Sequence, residues 1–315
     1  MGCNRSFFNL FLSTFPFALN WERALRHAVD SGEFQRNDFI VATKVGRYAS
    51  GTDFSAETVE RSVGESMERL QIDSIDLIQC HDIEFATSLE QVVHEGLPAL
   101  SVLKKKGIVN HIGITGLPLQ VLDFVIEQVD GPAAAASGGV GNNDRVIDTI
   151  LTYCCYTLNN TGLIEYLPRW KHRGIGIIQG GATSMGLLTP GGPQDWHPAP
   201  DQVRDACRDA AKLAEELGEN IVKISFQHTF AEPDIHTCLV GVVEEKALDE
   251  NIQWLNEPVN QELIDEIQLA LAPIRNRIWV ESGSEENIAL ASGGFWSRDH
   301  GKEKIIIGQS KNLSC

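Results

Sequence analysis

Two strand-like runs of this 315-residue chain each end in a residue able to do chemistry. The first, Asp38-Phe39-Ile40-Val41-Ala42-Thr43-Lys44, stops at a lysine, and the second, Ile75-Asp76-Leu77-Ile78-Gln79-Cys80-His81-Asp82, stops at a histidine. Lysine ammonium and histidine imidazole are residue types of electrostatic and acid–base chemistry on an oxygen, because burial and neighbouring charge tune both. Apolar strands whose C-terminal ends carry such groups, in successive strand–helix units, are how a parallel barrel gathers its chemistry at one rim.

The elements that must position them follow from periodicity. Phe39–Lys44 is apolar and β-branched, as a strand buried on both faces requires. Ser55 is placed to cap a helix carrying Val59, Val63, Met67 and Leu70 on one side. Strand Ile75–Cys80 follows, then a helix over Leu89–Lys106 closed by Gly107, strand Ile108–Thr115 and helix Leu119–Val129. The segment 131–144 holds four alanines and then Ser-Gly-Gly-Val-Gly-Asn-Asn, which reads as a flexible loop. Beyond it come strand Val146–Tyr153, helix Leu163–Arg173, strand Ile175–Gln179, helices Gln202–Leu217 and Ile221–Phe230, strand Ile235–Val242, and helices Lys246–Leu255 and Gln261–Ala272.

This alternation means a parallel α/β fold, and no Gly-x-Gly-x-x-Gly follows any strand, so the doubly wound dinucleotide fold is not indicated. The expectation is a TIM-type (β/α)8 barrel lacking its first two strands, since six strands are counted over residues 38–272. The expected organisation is an atypical segment over 1–37, a barrel over 38–280 and a loosely ordered tail over 281–315. Arg23–Ser31 reads as helix, and Phe7–Phe17 offers the one replacement strand. The ends also suit a truncated product of a longer coding sequence.

Charge and cysteines narrow the partners. A net charge of -17 argues against nucleic acid and anionic membrane surfaces. The 7 cysteines show no CxxC pairing, so neither a disulfide framework nor a metal site is expected, and a cytoplasmic setting is. Met1-Gly2-Cys3-Asn4-Arg5-Ser6 carries a short acylation pattern at Gly2 and Cys3, too little for firm membrane association.

Five runs resemble the aldo-keto reductase family: Ile40–Tyr48, Cys80–Phe85, Ile112–Leu119, Met185–Thr189 and Asp195–Ala199, in the family's order. The resemblance implies an oxidoreductase with a TIM-type barrel, moving hydride between a nicotinamide cofactor and a small sugar substrate. It assigns Lys44 to the family's catalytic lysine and His81 to the histidine that orients the substrate oxygen. The family's Asp-x-x-x-x-Tyr segment is not found ahead of Lys44, and Tyr48 does not match it. The alternative is therefore a catalytically impaired chain that binds nucleotide or serves as a partner subunit. The same resemblance places Thr115 and Gly116 under the nicotinamide. It puts Gly181, Ser184 and Gly186 around the diphosphate, and Gly241, Glu250 and Asn251 on the adenosine side. Glu244 and Glu245 suit a ribose diol better than a 2′-phosphate, so NAD is expected over NADP.

Overall fold

The computed structural model describes residues 8–11, 18–131, 145–242, 244–280, 284–291 and 305–307. The acylation pattern and most of the 131–144 loop lie outside them. The chain divides into two compact units, the first made of Met1–Gly116 with Val121–Ile150, the second of Leu117–Gln120 with Leu151–Cys315.

The first unit is built on parallel strands. β1 (Phe8–Phe11) pairs with β2 (Phe39–Val45), β2 with β5 (Ile75–Cys80), and β5 with β6 (Val109–Thr115). β1 falls within the apolar run offered as a replacement strand, and helix Ala18–Asp30 returns the chain from it to β2. A small antiparallel hairpin, β3 (Arg47–Tyr48) with β4 (Gly51–Thr52), follows β2. The chain passes from β2 into this hairpin at Gly46, where φ is +98° and a Cβ would lie 1.9 Å from the Phe54 ring, so only glycine fits.

Helix Ala56–Leu70 starts where its sequence says it should. Ser55 Oγ accepts from the Thr58 amide at 3.4 Å, and Asp53 accepts from the Ser55 amide and the Thr58 hydroxyl at 2.8 and 2.7 Å. Val59, Val63 and Leu70 bury one stripe, and the helix ends at Gln71 in the left-handed region. The helix expected over Leu89–Lys106 is broken: Leu89–Gln91 is α, Val92–Gly96 is a π turn and Leu97–Lys105 is α again. Pro98 has no N–H to give to the preceding turn, and a wider turn absorbs the missing bond.

The second unit carries β8 (Gly176–Gly180) parallel to β9 (Thr237–Leu239) and β10 (Ile278–Val280) parallel to β11 (Ile305–Ile307). β7 (Thr149–Tyr153) leads into it. The strand expected over Ile235–Val242 pairs only at its centre. The unit's core gathers Leu187, Leu188, Cys207, Ile224, Ile267 and Trp279 under helices Asp201–Glu216, Ile221–Phe230 and Gln261–Ala270.

Candidate functional site

Parallel pairing of β2, β5 and β6 sets Lys44 beside Gln79 and Gln79 beside Gly113. One residue beyond β5, the His81 amide donates to the Val45 carbonyl at 2.8 Å, so the histidine is fixed to the end of the lysine's strand. The next residue, Asp82, sits in the left-handed region at φ 49°. That turn folds its carboxylate back under His81 rather than away from it.

Asp82 is the hub of the site. Its amide donates to Thr115 Oγ1 at 2.8 Å, and that hydroxyl donates to Asp82 Oδ1 at 3.1 Å. Its Oδ2 pairs with the Arg47 guanidinium and lies 3.4 Å from His81 Nε2. Arg47 also lies over the Phe85 ring, 4.6 Å from the centroid. β3 therefore delivers a cation, β6 a hydroxyl and β5 the histidine to one carboxylate.

The two catalytic candidates feel this arrangement. Burial lowers the Lys44 pKa, against the pull of the Asp82 charge. Burial also pushes His81 down to about 4; Asp82 opposes this, and the Lys44 and Arg47 charges add to it. At neutral pH His81 is thus an uncharged imidazole. Among the described residues Lys44 makes no ion pair or hydrogen bond. The Tyr48 hydroxyl accepts from the Gly46 amide at 3.1 Å, which holds the phenol oxygen on its own hairpin.

The expected cofactor residues divide between the units. Thr115 is 1% exposed and spends its hydroxyl on Asp82. At Gly116 a Cβ would stand 2.4 Å from Glu84 Oε2, so a buried glutamate takes the space that a side chain there would need.

In the second unit, Gly181 (φ +69°) and Gly186 (φ +96°) bracket a tight loop in which Ser184 and Met185 are also left-handed. The Ser184 hydroxyl is fully buried and donates to Asn159 Oδ1 at 2.6 Å, and the Ser184 and Gly186 amides donate to carbonyls of the same loop. Ser184 thus holds the loop's shape. Gly241 has open space where a Cβ would stand. Glu250 pairs at 3.4 Å with Lys246 on the surface of helix Glu245–Asn256, where Asn251 is the buried residue.

A nicotinamide dinucleotide fits this loop in one respect and is limited in another. The left-handed backbone at Gly181 and Gly186 is of the kind that turns amides toward an anion, but a Cβ at Gly181 would meet Cys154 Sγ at 2.9 Å, so that side is packed, and two loop amides are already used. Among the described residues no group of three or more metal-ligating side chains occurs. Nor is any described helix long and apolar enough to cross a membrane.

Sequence reasoning named Lys44 and His81 and did not name the hub. Asp82 and Arg47 stood inside the runs Cys80–Phe85 and Ile40–Tyr48, but only their 35-residue contact gives them a role.

Comparison with known proteins follows the same lines. A family model described as "Aldo/keto reductase family" matches residues 16–272. An L-galactose dehydrogenase of Arabidopsis thaliana is 38% identical over 270 residues, spanning 84% of this chain and 80% of that protein. A D-arabinose 1-dehydrogenase of Saccharomyces cerevisiae is 28% identical over 220 residues, 69% of this chain and 62% of that protein. An aldo-keto reductase of Bacillus halodurans, in its holo form, superposes with a TM-score of 0.61 at 21% identity, over 83% of this chain and 82% of that one. That last likeness speaks for the fold: βα units of the TIM-type barrel, here a partial one.

Proposed function

Because the chain belongs to the aldo/keto reductase family and is an oxidoreductase by that descent, we propose that it oxidises an aldose at its anomeric carbon. The substrate of the proposal is L-galactose, the product its lactone, in the route to ascorbate. The cofactor is NAD in preference to NADP, and the setting is cytoplasmic. The observation that carries the reading is 38% identity to an L-galactose dehydrogenase over 84% of the chain, together with Lys44 and His81 fixed at adjacent strand ends.

When bound, the nicotinamide cofactor would accept hydride from the anomeric carbon. The chain's own residues handle the oxygen. His81 is neutral at pH 7, and with its Nε2 toward Asp82 the Nδ1 lone pair is the acceptor for the hydroxyl proton. Lys44, when protonated, stabilises the developing alkoxide. Asp82, held by Arg47 and Thr115, fixes the ring's tautomer and orientation.

Initial rates across a panel of aldoses with NAD and with NADP test the proposal. L-galactose with NAD should be the fastest pair, and a faster aldose or a preference for NADP would remove the assigned substrate or cofactor. The alternative, nucleotide binding or a subunit role without turnover, is favoured by the lack of an Asp-x-x-x-x-Tyr segment ahead of Lys44 in the sequence. It predicts cofactor binding with no rate for any aldose.

A further inference from the structure

Helix Glu245–Asn256 in the second unit is packed on one side only. Asn251 is its buried residue, the Trp254 ring lies 6.5 Å from that of Phe226, and Gln227 Nε2 donates to the Trp254 carbonyl at 2.9 Å, all toward helix Ile221–Phe230. Leu248, Ile252 and Leu255 recur at i, i+4 and i+7, the spacing of one helix face, and that face is turned away from the packed side. They are 39%, 50% and 38% exposed, and Val259, just past the helix end, is 45% exposed. One exposed leucine is ordinary on a protein surface, whereas apolar side chains in helical register along two turns form a continuous stripe.

The charge beside the stripe says what fits it. Glu245 and Asp249 stand one turn apart along its solvent side, both exposed, and among the described residues neither makes an ion pair or a hydrogen bond. The helix's one base, Lys246, is set round the far side, where it pairs with Glu250 at 3.4 Å. A second copy of this chain would set these carboxylates against their own equivalents, and an anionic membrane would meet them with like charge. A cationic partner meets them with opposite charge. We propose that this face is a docking surface for a basic amphipathic helix of another protein. The partner's apolar residues lie on Leu248, Ile252 and Leu255, and its lysines or arginines lie against Glu245 and Asp249. The surface goes beyond the dehydrogenase reading and needs neither substrate nor cofactor.

Fluorescence anisotropy tests it on the full chain, with a fluorescein-labelled amphipathic helix built from leucine and lysine as the probe. The probe should bind saturably, and its counterpart with glutamate for lysine about tenfold more weakly or worse. Ile252→Asp removes an apolar contact and should weaken the lysine helix about tenfold or more. Leu269→Asp, at a leucine 73% exposed on helix Gln261–Ala270, should bind as wild type does. Glu245→Gln with Asp249→Asn leaves the stripe whole and should weaken binding about threefold or more, with a flatter salt dependence. No saturable binding, equal affinity in Ile252→Asp, or an equal loss in Leu269→Asp overturns the surface. Unchanged affinity in the carboxylate variant overturns the charge match. A wild-type dimer in sedimentation that Ile252→Asp dissociates would give the stripe to a second copy. Phosphatidylserine vesicles bound by wild type and not by Ile252→Asp would give it to a membrane. Either result overturns the basic helix.

Discussion

Acid should loosen the second unit through His197. The residue is 3% exposed. The Ala199 amide donates to its Nδ1 at 3.0 Å, so the proton must sit on Nε2, which faces the Ser184 carbonyl at 3.2 Å. The neutral ring is fully used, and protonation would cost the Ala199 bond. Burial pushes its pKa from 6.5 to about 4, the Ser184 carbonyl opposing and Arg204 assisting.

The sign follows from linkage. Above pH 6.5 both folded and unfolded chains are neutral here and the full stability is present. Below it the unfolded chain binds the proton first, and stability falls until the folded pKa is passed. The whole span is worth about 3 kcal/mol, and about 2 kcal/mol of it disappears between pH 7 and pH 5. Glutamine can offer an amide oxygen and nitrogen to the same two partners without titrating. Urea unfolding of wild type and His197→Gln at both pH values reads the difference. The variant should lose about 2 kcal/mol less than wild type on going to pH 5. A variant with wild-type pH dependence would refute the reasoning, as would an imidazole titrating near 6.5 in a folded-state NMR titration.

Three further outcomes are expected. Gly116→Ala forces Glu84 from its place and should cost about 1–3 kcal/mol in urea unfolding, since a Cβ there meets Oε2 at 2.4 Å. Trp170→Ala empties a fully buried site and should cost about 3–5 kcal/mol by the same measurement. Asp82→Asn keeps the shape of the hub but removes its charge. It should lower kcat for aldose oxidation about tenfold or more with a smaller change in KM, and unchanged kcat would dismiss Asp82 as a positioning residue.

The strand-end placement of Lys44 and His81 was legible because strand–helix alternation is written in local periodicity, and so was the Ser55 cap. The partners of Asp82 were not, since Thr115 and Arg47 reach it across 33 and 35 residues. Ser184 also has a partner that local sequence could not show. Its loop reads as a glycine-bearing cofactor turn, yet its hydroxyl is spent on Asn159, 25 residues away. The π turn at Val92–Gly96 was hidden because helical periodicity outside it is intact and only Pro98 disturbs the hydrogen bonds.

Transfer of deuterium from C1-labelled L-galactose to NAD, followed by mass spectrometry of the reduced cofactor, tests the central claim most directly. The account predicts labelled cofactor from the wild-type chain, with the rate reduced about a hundredfold or more in Lys44→Ala and His81→Ala. Labelled cofactor formed equally by both variants, or none formed by the wild type, would contradict it.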